Sequence, residues 1–465
     1  MAITAVYQKP HVWSQAYNPI IYSVLSNQNT QTDFSYVFWI WIDGNGTTEP
    51  DFKIVQRPNP SGAGMLDIAS ILQPYIELSN FAQENSYNPL WYQNGVFLVP
   101  NILVYVGEQY LFNGVLTTFN GSGTIGDPSY ALLARELSNT KQVRVLPAAL
   151  PWQEGIDIMS NNTAFYFWSD YIMDGNGKFL KEQGNNISVF DYDYSSLAFL
   201  NWWDTSVGSY DSAVQLLQYK QYNAAGTLIR TDNVQNTSAV GGGPQTTSAY
   251  TTQSYSQPYT LLYAKTGPKN LQEASLWDNT TAYYTVQAFA KASNTSSSSP
   301  GKVVSELVTY TISEECLQMY PRVRVSWLNS LGGRDFWNFT KFYEKTSNSP
   351  DSKYFQTPLN WSAATPTATS GDQTENWLRG GNKSFNKNVT ETYSVQTDWL
   401  LQDDVDLLAG IAESPQVWIY IGNTPTPYTV NVSNIAYTYK NVDQQKLVQA
   451  SYDLTYTKVQ QKQNM

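Results

Sequence analysis

The chain has 465 residues, of which only 14% are Asp, Glu, Lys or Arg, against roughly 25% in an ordinary soluble protein. Aromatic residues match that share at 14%, and 27 Lys plus Arg against 38 Asp plus Glu leave a net charge of −11. This balance argues against binding nucleic acid by phosphate neutralisation, which needs a basic stripe. Amides, hydroxyls and aromatic rings cost less to desolvate than full charges, so such a surface suits permanent contact with protein or with sugar.

In chain order, the N-terminus Met1-Ala2-Ile3-Thr4 has neither the basic region nor the apolar core of a secretory signal, and the longest apolar run, Tyr36 to Ile42, is too short to span a membrane. A soluble protein without membrane insertion is expected. Period-2 segments separated by Gly, Asn, Asp and Pro clusters predict all-β architecture. Strands are expected at Ser35 to Ile42, Val96 to Val106, Ala164 to Ile172, Ala213 to Tyr222, Tyr283 to Lys291 and Val303 to Ile312. Further strands are expected at Arg322 to Trp327 and Val417 to Ile421, with a closing hairpin of Ile435 to Lys440 and Lys446 to Thr457. A short turn of helix is expected at Asp67 to Leu72, ended by Pro74.

One longer helix is predicted, Asp398 to Ser414. Leu401, Val405, Leu408 and Ala412 recur at helical spacing, acidic residues lie towards its N-terminal half, and Pro415 stops it. The polar residues after Val459 (Gln460 to Asn464) contain nothing to build a core, so they are expected to be mobile or ordered only against a neighbour.

Length suggests about three domains. The expectation is several β-sandwich domains of immunoglobulin or fibronectin-III type in tandem, with a short helix near the C-terminus. These are 1–144, 145–315 with a Gly/Ser/Thr-rich loop at 237–257, and 316–465 with the helix at about 398–414. The run Ser293 to Ser299 reads as a loop joining two strands of a hairpin. Asp43-Gly44-Asn45-Gly46 and Asp174-Gly175-Asn176-Gly177 each follow an aromatic segment and read as hairpin turns, a four-residue match that leaves open whether the first two domains are copies of one another.

Chemistry is limited by what the chain lacks. One histidine, His11, and one cysteine, Cys316, leave a Ser-His-Asp triad a single candidate base and give a zinc site too few ligands. Neither Asp-Gly-Asn-Gly turn completes a calcium loop, because Thr48 or Phe179 stands where Gly is needed and Ile54 or Asn185 where Glu is needed. No P-loop or dinucleotide fingerprint occurs. The expectation is no metal, no cofactor and no enzymatic activity.

The remaining constellation is Glu154, Asp157, Asp191, Asp193 and Asp204 near Trp152, Tyr192, Tyr194, Trp202 and Trp203. Paired carboxylates among aromatics could serve a glycosidase. The same aromatics could stack on sugar rings, with Trp202, Trp203, Tyr192 and Tyr194 as candidate glycan contacts. The structural reading places Asp191 and Asp193 outward on a strand and the tyrosines inward.

The segment Cys316 to Phe339 places alternating Arg322 and Arg324 before Trp327-Leu328-Asn329 and Leu331-Gly332-Gly333, then an aromatic strand. This pattern resembles structural proteins of tailed bacteriophages of Bacteroidota hosts, the crAss-like phages among them. Tyr17-Asn18-Pro19-Ile20, Arg57-Pro58-Asn59-Pro60 and Thr397-Asp398-Trp399-Leu400 resemble them too. The resemblance implies a virion component of the neck, tail or baseplate, assembled in the host cytoplasm. Its partners would be further copies of itself and neighbouring virion proteins. A receptor- or glycan-binding tail-tip protein, meeting host-surface glycan, is the alternative. The family lends no catalytic residues. The residues themselves give Trp327, Asn329, Gly332 and Gly333 a structural part: a strand ending in a tight turn whose glycines permit positive φ, with Arg322 and Arg324 on one face and Val323 and Val325 on the other.

Overall fold

The computed structural model describes residues 3–8, 10, 13–42, 49–75, 91–93, 102–119, 144–146, 148–149, 170–171, 173, 175–201, 214, 216–235, 260–291, 300–313, 322–341, 343–356, 381–421, 427–436, 449–458 and 460–461. Strands dominate and helix is scarce, so the fold is all-β. The chain divides into two compact units, residues 1–317 with 327–336, and residues 318–326 with 337–465. Among the described residues no helix is long and apolar enough to cross a membrane.

The first unit contains a β-sandwich. One sheet runs in the order Asn186–Val189, Val308–Ile312, Tyr283–Lys291, Leu216–Tyr222, Leu228–Gln235, with Pro300–Val303 also pairing Tyr283–Lys291. All these pairings are antiparallel except the first, where Asn186–Val189 lies parallel to Val308–Ile312. The other sheet pairs Ser196–Asn201 with Thr260–Lys265, which continues to Trp91–Gln93. The two sheets share one core. Leu197, Phe199, Leu262 and Ala264 come from the smaller sheet, and Leu217, Tyr219, Tyr284, Val286, Ala288 and Tyr310 from the larger. Alternate residues point inward because the pleat has period two. The strand order and the paired layers are those of an immunoglobulin-like sandwich.

The buried tyrosines of this core carry polar ends that must be satisfied. Tyr219 donates to the Lys265 carbonyl (2.9 Å), Tyr284 donates to that of Thr266 (2.7 Å), and the Tyr310 hydroxyl meets Thr266 Oγ1 (2.9 Å). Tyr284 and Tyr310 stack with centroids 4.9 Å apart. Burial raises the pKa of Tyr219 well above the ordinary phenol value.

The same unit holds an antiparallel sheet of Ile3–Gln8, Ile21–Ser26 and Ala63–Asp67, and a second of Phe52–Gln56, Ser35–Trp41, Leu103–Phe112 and Val115–Phe119. Trp13–Gln15 pairs with Arg144–Leu146 in parallel. A short helix, Ala69–Leu72, runs into a single 3-10 turn, Gln73–Tyr75, so Pro74 continues the turn that the sequence expected it to end.

The second unit is organised along the long strand Gly381–Gln396. Its sheet runs Val417–Ile421, Tyr428–Ala436, Ser451–Tyr456, Gly381–Gln396, Glu344–Asn348. The helix is Gln402–Glu413 and buries Val405, Leu408, Ala409 and Ile411. Leu401, expected on its apolar face, is instead the exposed residue before its first turn. The closing hairpin pairs 451–456 with 428–436, upstream of the expected 435–440. Gln460–Gln461 pairs with Val389 and Asn388 of the same chain, so these two residues, expected to be mobile or ordered only against a neighbour, are ordered within the chain, while 462–464 lie outside the described residues.

Other expectations also need correcting. Every residue of Val323–Leu328 is buried, and so is Arg322, so the proposed division into an arginine face and a valine face does not separate inside from outside. Gly177 forms a parallel bridge with Ser305, and Gly175 donates to the Val304 carbonyl. Residues 175–177 therefore lie along 304–305 instead of making a tight hairpin turn. The 43–46 turn, the strand 164–172 for all but its end, and the loops 237–257 and 293–299 lie outside the described residues.

Candidate functional site

Two constellations in the first unit gather the sequence-singled residues. The first is the turn 329–333. Asn329, 3% exposed, uses its whole side chain. Its Oδ1 accepts from Leu331 N (3.1 Å) and Gly333 N (2.8 Å), and its Nδ2 donates to the Leu180 carbonyl (3.0 Å) and to Asp335 Oδ2 (3.0 Å). An amide offers two donors and two acceptor lone pairs, and all four are engaged. Gly332 adopts φ +85°, a region open to glycine. A Cβ on Gly333 would fall inside the Leu180 carbonyl oxygen. Trp327 is fully buried.

The segment 179–183 closes over this turn. Glu182 N donates to Asp335 Oδ2 (3.1 Å), Ser330 N donates to Glu182 Oε1 (3.0 Å), and Gln183 Nε2 donates to the Phe336 carbonyl (3.0 Å). Tyr263 donates to the Gly332 carbonyl (3.0 Å). Burial, then the neighbouring Glu182 carboxylate, pushes the Asp335 pKa up to about 7 despite the hydrogen bonds it accepts. Lys181, 3.5 Å from Glu306, is held below the ordinary lysine range by burial, against the opposing pull of Glu306 and Asp335. The groups of this network are committed to one another. It locks a turn.

The second constellation is the turn 190–195 and the helix Pro268–Glu273. Proline at the first helical position needs no hydrogen-bond acceptor, and Gly267 before it fits where a Cβ would collide with the backbone of Asp193 to Ser195. Lys269 N donates to the Asp193 carbonyl (3.1 Å), and Ser195 N donates to Asn270 Oδ1 (3.1 Å). Tyr194 donates to Glu273 Oε1 (2.6 Å), and Gln272 Nε2 donates to the Asp191 carbonyl (2.9 Å). Asp193, buried, accepts from Phe190 N (2.9 Å) through Oδ2.

The expected strand alternation at 191–194 therefore fails. Asp191 and Tyr192 are exposed and Asp193 and Tyr194 buried, because the Asp193 carboxylate folds the chain into a turn. Beside this turn, Asp191, Tyr192, Gln272, Trp277 and Asn279 line a depression of about 290 Å³. Of the candidate glycan contacts, Tyr192 lines it, Tyr194 is buried beneath the turn, and Trp202 and Trp203 lie outside the described residues. So do Trp152, Glu154, Asp157, Asp204, His11 and Cys316. Among the described residues no cluster of His, Cys, Asp and Glu could hold a metal. Sequence reasoning passed over Gln272 and Trp277. The usable signal was Gly267-Pro268, a helix start.

A third feature is the hairpin of Leu103–Phe112 and Val115–Phe119, turned by Asn113 and Gly114 at φ 50° and 80°. Both positive values mark a type I′ turn. Its end pairs Phe112 with Val115 and Leu111 with Leu116 on alternate faces, and all four side chains are 38–65% exposed. Among the described residues Val115–Phe119 is an edge strand of its sheet.

No protein-family model matches this chain, and no curated protein sequence matches it.

Proposed function

We propose that this chain is a non-enzymatic structural component of a tailed-phage virion, one subunit of a multimeric ring or collar layer in the neck or tail. The observation that carries the reading is the apolar hairpin end, Leu111, Phe112, Val115 and Leu116, exposed on both faces beside a strand that lies at the edge of its sheet among the described residues. Apolar side chains and unpaired strand edges are sites where a further protein chain adds on. The low charged fraction supports the same reading, since charge is depleted from interface cores. A ring uses heterologous contacts, one patch meeting a different patch until the circle closes. The partners are further copies of the chain and adjoining virion proteins, and the acidic balance suits a conduit that should not trap DNA.

The test is a reconstruction of the particle with this protein located in it. Copies arranged around the portal–tail axis support the ring. Trimers projecting from the particle with exposed aromatic residues favour the alternative, a receptor-binding tail-tip protein.

A further inference from the structure

We propose that a two-stranded arm of the second unit docks on the exposed Trp399 and Leu401 of a second copy of this chain. The inference rests on the ring reading, which calls for two different patches in contact, and it names both. Glu344–Asn348 and Asp351–Gln356 lie one after the other along a single strand, Gly381–Gln396, in pairs that run from 344 with 394 to 356 with 381. Among the described residues 351–356 and 381–387 pair only with each other, so here the sheet narrows to a ribbon. Every side chain from Asp351 to Phe355 is exposed, and so are those of Asn382, Lys383 and Ser384. Tyr354 and Phe355 are 46% and 68% exposed. As neighbours on a pleated strand they put one aromatic ring on each face. A lone two-stranded ribbon is marginal in water and gains stability when a further surface covers it.

Charge names the occupant. Lys353, Lys383 and Lys387 outnumber Asp351 on the arm, which is therefore basic on a chain whose net charge is −11. It fits an acidic surface with exposed apolar side chains, and the same unit carries one. Trp399 and Leu401 are each 57% exposed. The sequence 397–421 around them holds Asp398, Asp403, Asp404, Asp406 and Glu413 and neither Lys nor Arg. Lys341, outside that stretch, pairs with Asp398 (2.9 Å). Aromatic residues set against apolar ones, with opposite charges around them, match the core and rim of a protein interface. The backbone keeps the two patches of one copy apart. Asn382 pairs with Phe355 near the start of the long strand, and Trp399 follows its last residue, Gln396. At about 3.3 Å per residue the strand between them rises about 45 Å. An arm at one end and its receptor at the other make a heterologous contact, one copy's arm on the next copy's patch, which is the kind that closes rings.

The experiment is sedimentation velocity on the full chain, as wild type, as two arm variants and as a patch variant. The arm variants are Phe355→Ser, and Lys353→Glu combined with Lys383→Glu. The patch variant combines Trp399→Ser with Leu401→Ser. All these positions are exposed, so melting temperatures should match wild type, and either arm variant serves if the other fails to fold. The wild type should self-associate, and each variant should need about tenfold or more protein to do so. An equimolar mixture of an arm variant and the patch variant should recover wild-type affinity but stop at a one-to-one dimer, because one intact arm still meets one intact patch. A wild type that stays monomeric at every concentration overturns the proposal and leaves the arm to a different protein. Association unchanged in both arm variants, or a mixture no tighter than its components, overturns it too. If association is then lost in Val115→Thr with Leu116→Thr, the ring reading stands without this contact. Head-to-tail association by a protein absent from the neck and tail of the particle would support the contact and end the ring reading.

Discussion

At the scale of single residues, Asp335 makes the stability of the first unit depend on pH. Its pKa rises from the ordinary 3.8 to about 7 in the folded chain, chiefly by burial and then by Glu182. Between those values the folded state keeps a proton that the unfolded state has released, so stability falls as pH rises from about 4 to about 7. The slope from this group is at most about 1.4 kcal/mol per pH unit. Asp335→Asn removes the titration while keeping an oxygen to accept from Asn329 and Glu182. The difference in denaturant midpoint between wild type and Asp335→Asn should therefore move towards the variant across that window. A constant difference would show that Asp335 does not hold the proton. The two glycines beside it act by different means. Gly332→Val forces a β-branched residue to positive φ and should cost about 1 kcal/mol or more. Gly333→Ala drives a methyl into the Leu180 carbonyl and should cost about 2 kcal/mol. A thermal melt unchanged in either variant would contradict the geometry. A glycine pair after Asn329 was readable as a turn because only glycine takes that backbone freely. Nothing in the local sequence announced Leu180 as its partner, because that contact spans about one hundred and fifty positions.

At the scale of elements, the strands Tyr283–Lys291 and Val417–Ile421 coincide with the sequence expectation, since β-branched and aromatic residues at period two leave no competing structure. The reading failed where one side chain overrules the period. Asp191 to Tyr194 looks alternating, but the Asp193 carboxylate captures Phe190 N and makes a turn. The helix Pro268–Glu273 was missed because six residues are too few to show a 3.6-residue repeat. Its stability comes from outside, through the staple to the 190–195 turn. Tyr194→Phe deletes the bond to Glu273 and leaves a partly buried carboxylate short of a donor, so it should cost about 1–2 kcal/mol. Gly267→Ala should cost at least as much by pushing the helix off the turn. Amide exchange at Lys269 and Ser195 should speed up in both variants, and unaltered exchange would mean that the staple is not what holds the helix.

At the scale of the whole molecule, sequence and structure bear on different questions. Composition pointed to a chain with little surface charge, but it could not say where the apolar surface lies, because an aromatic residue reads the same in a core and at a rim. The structure places Leu111, Phe112, Val115 and Leu116 on an exposed hairpin end. Substitutions there should separate folding from assembly. Val115→Thr and Leu116→Thr keep β propensity and lie at 65% and 54% exposure, so the monomer should melt within about 0.5 kcal/mol of wild type. Burying a Val or Leu against a neighbour is worth about 1.5–3 kcal/mol each, so replacing both should raise the concentration needed for self-association by about tenfold or more. Sedimentation velocity over a concentration series measures this directly. Association that is equally tight in the double variant would place the subunit contact elsewhere on the chain, and loss of folding would show that the hairpin end belongs to the core after all.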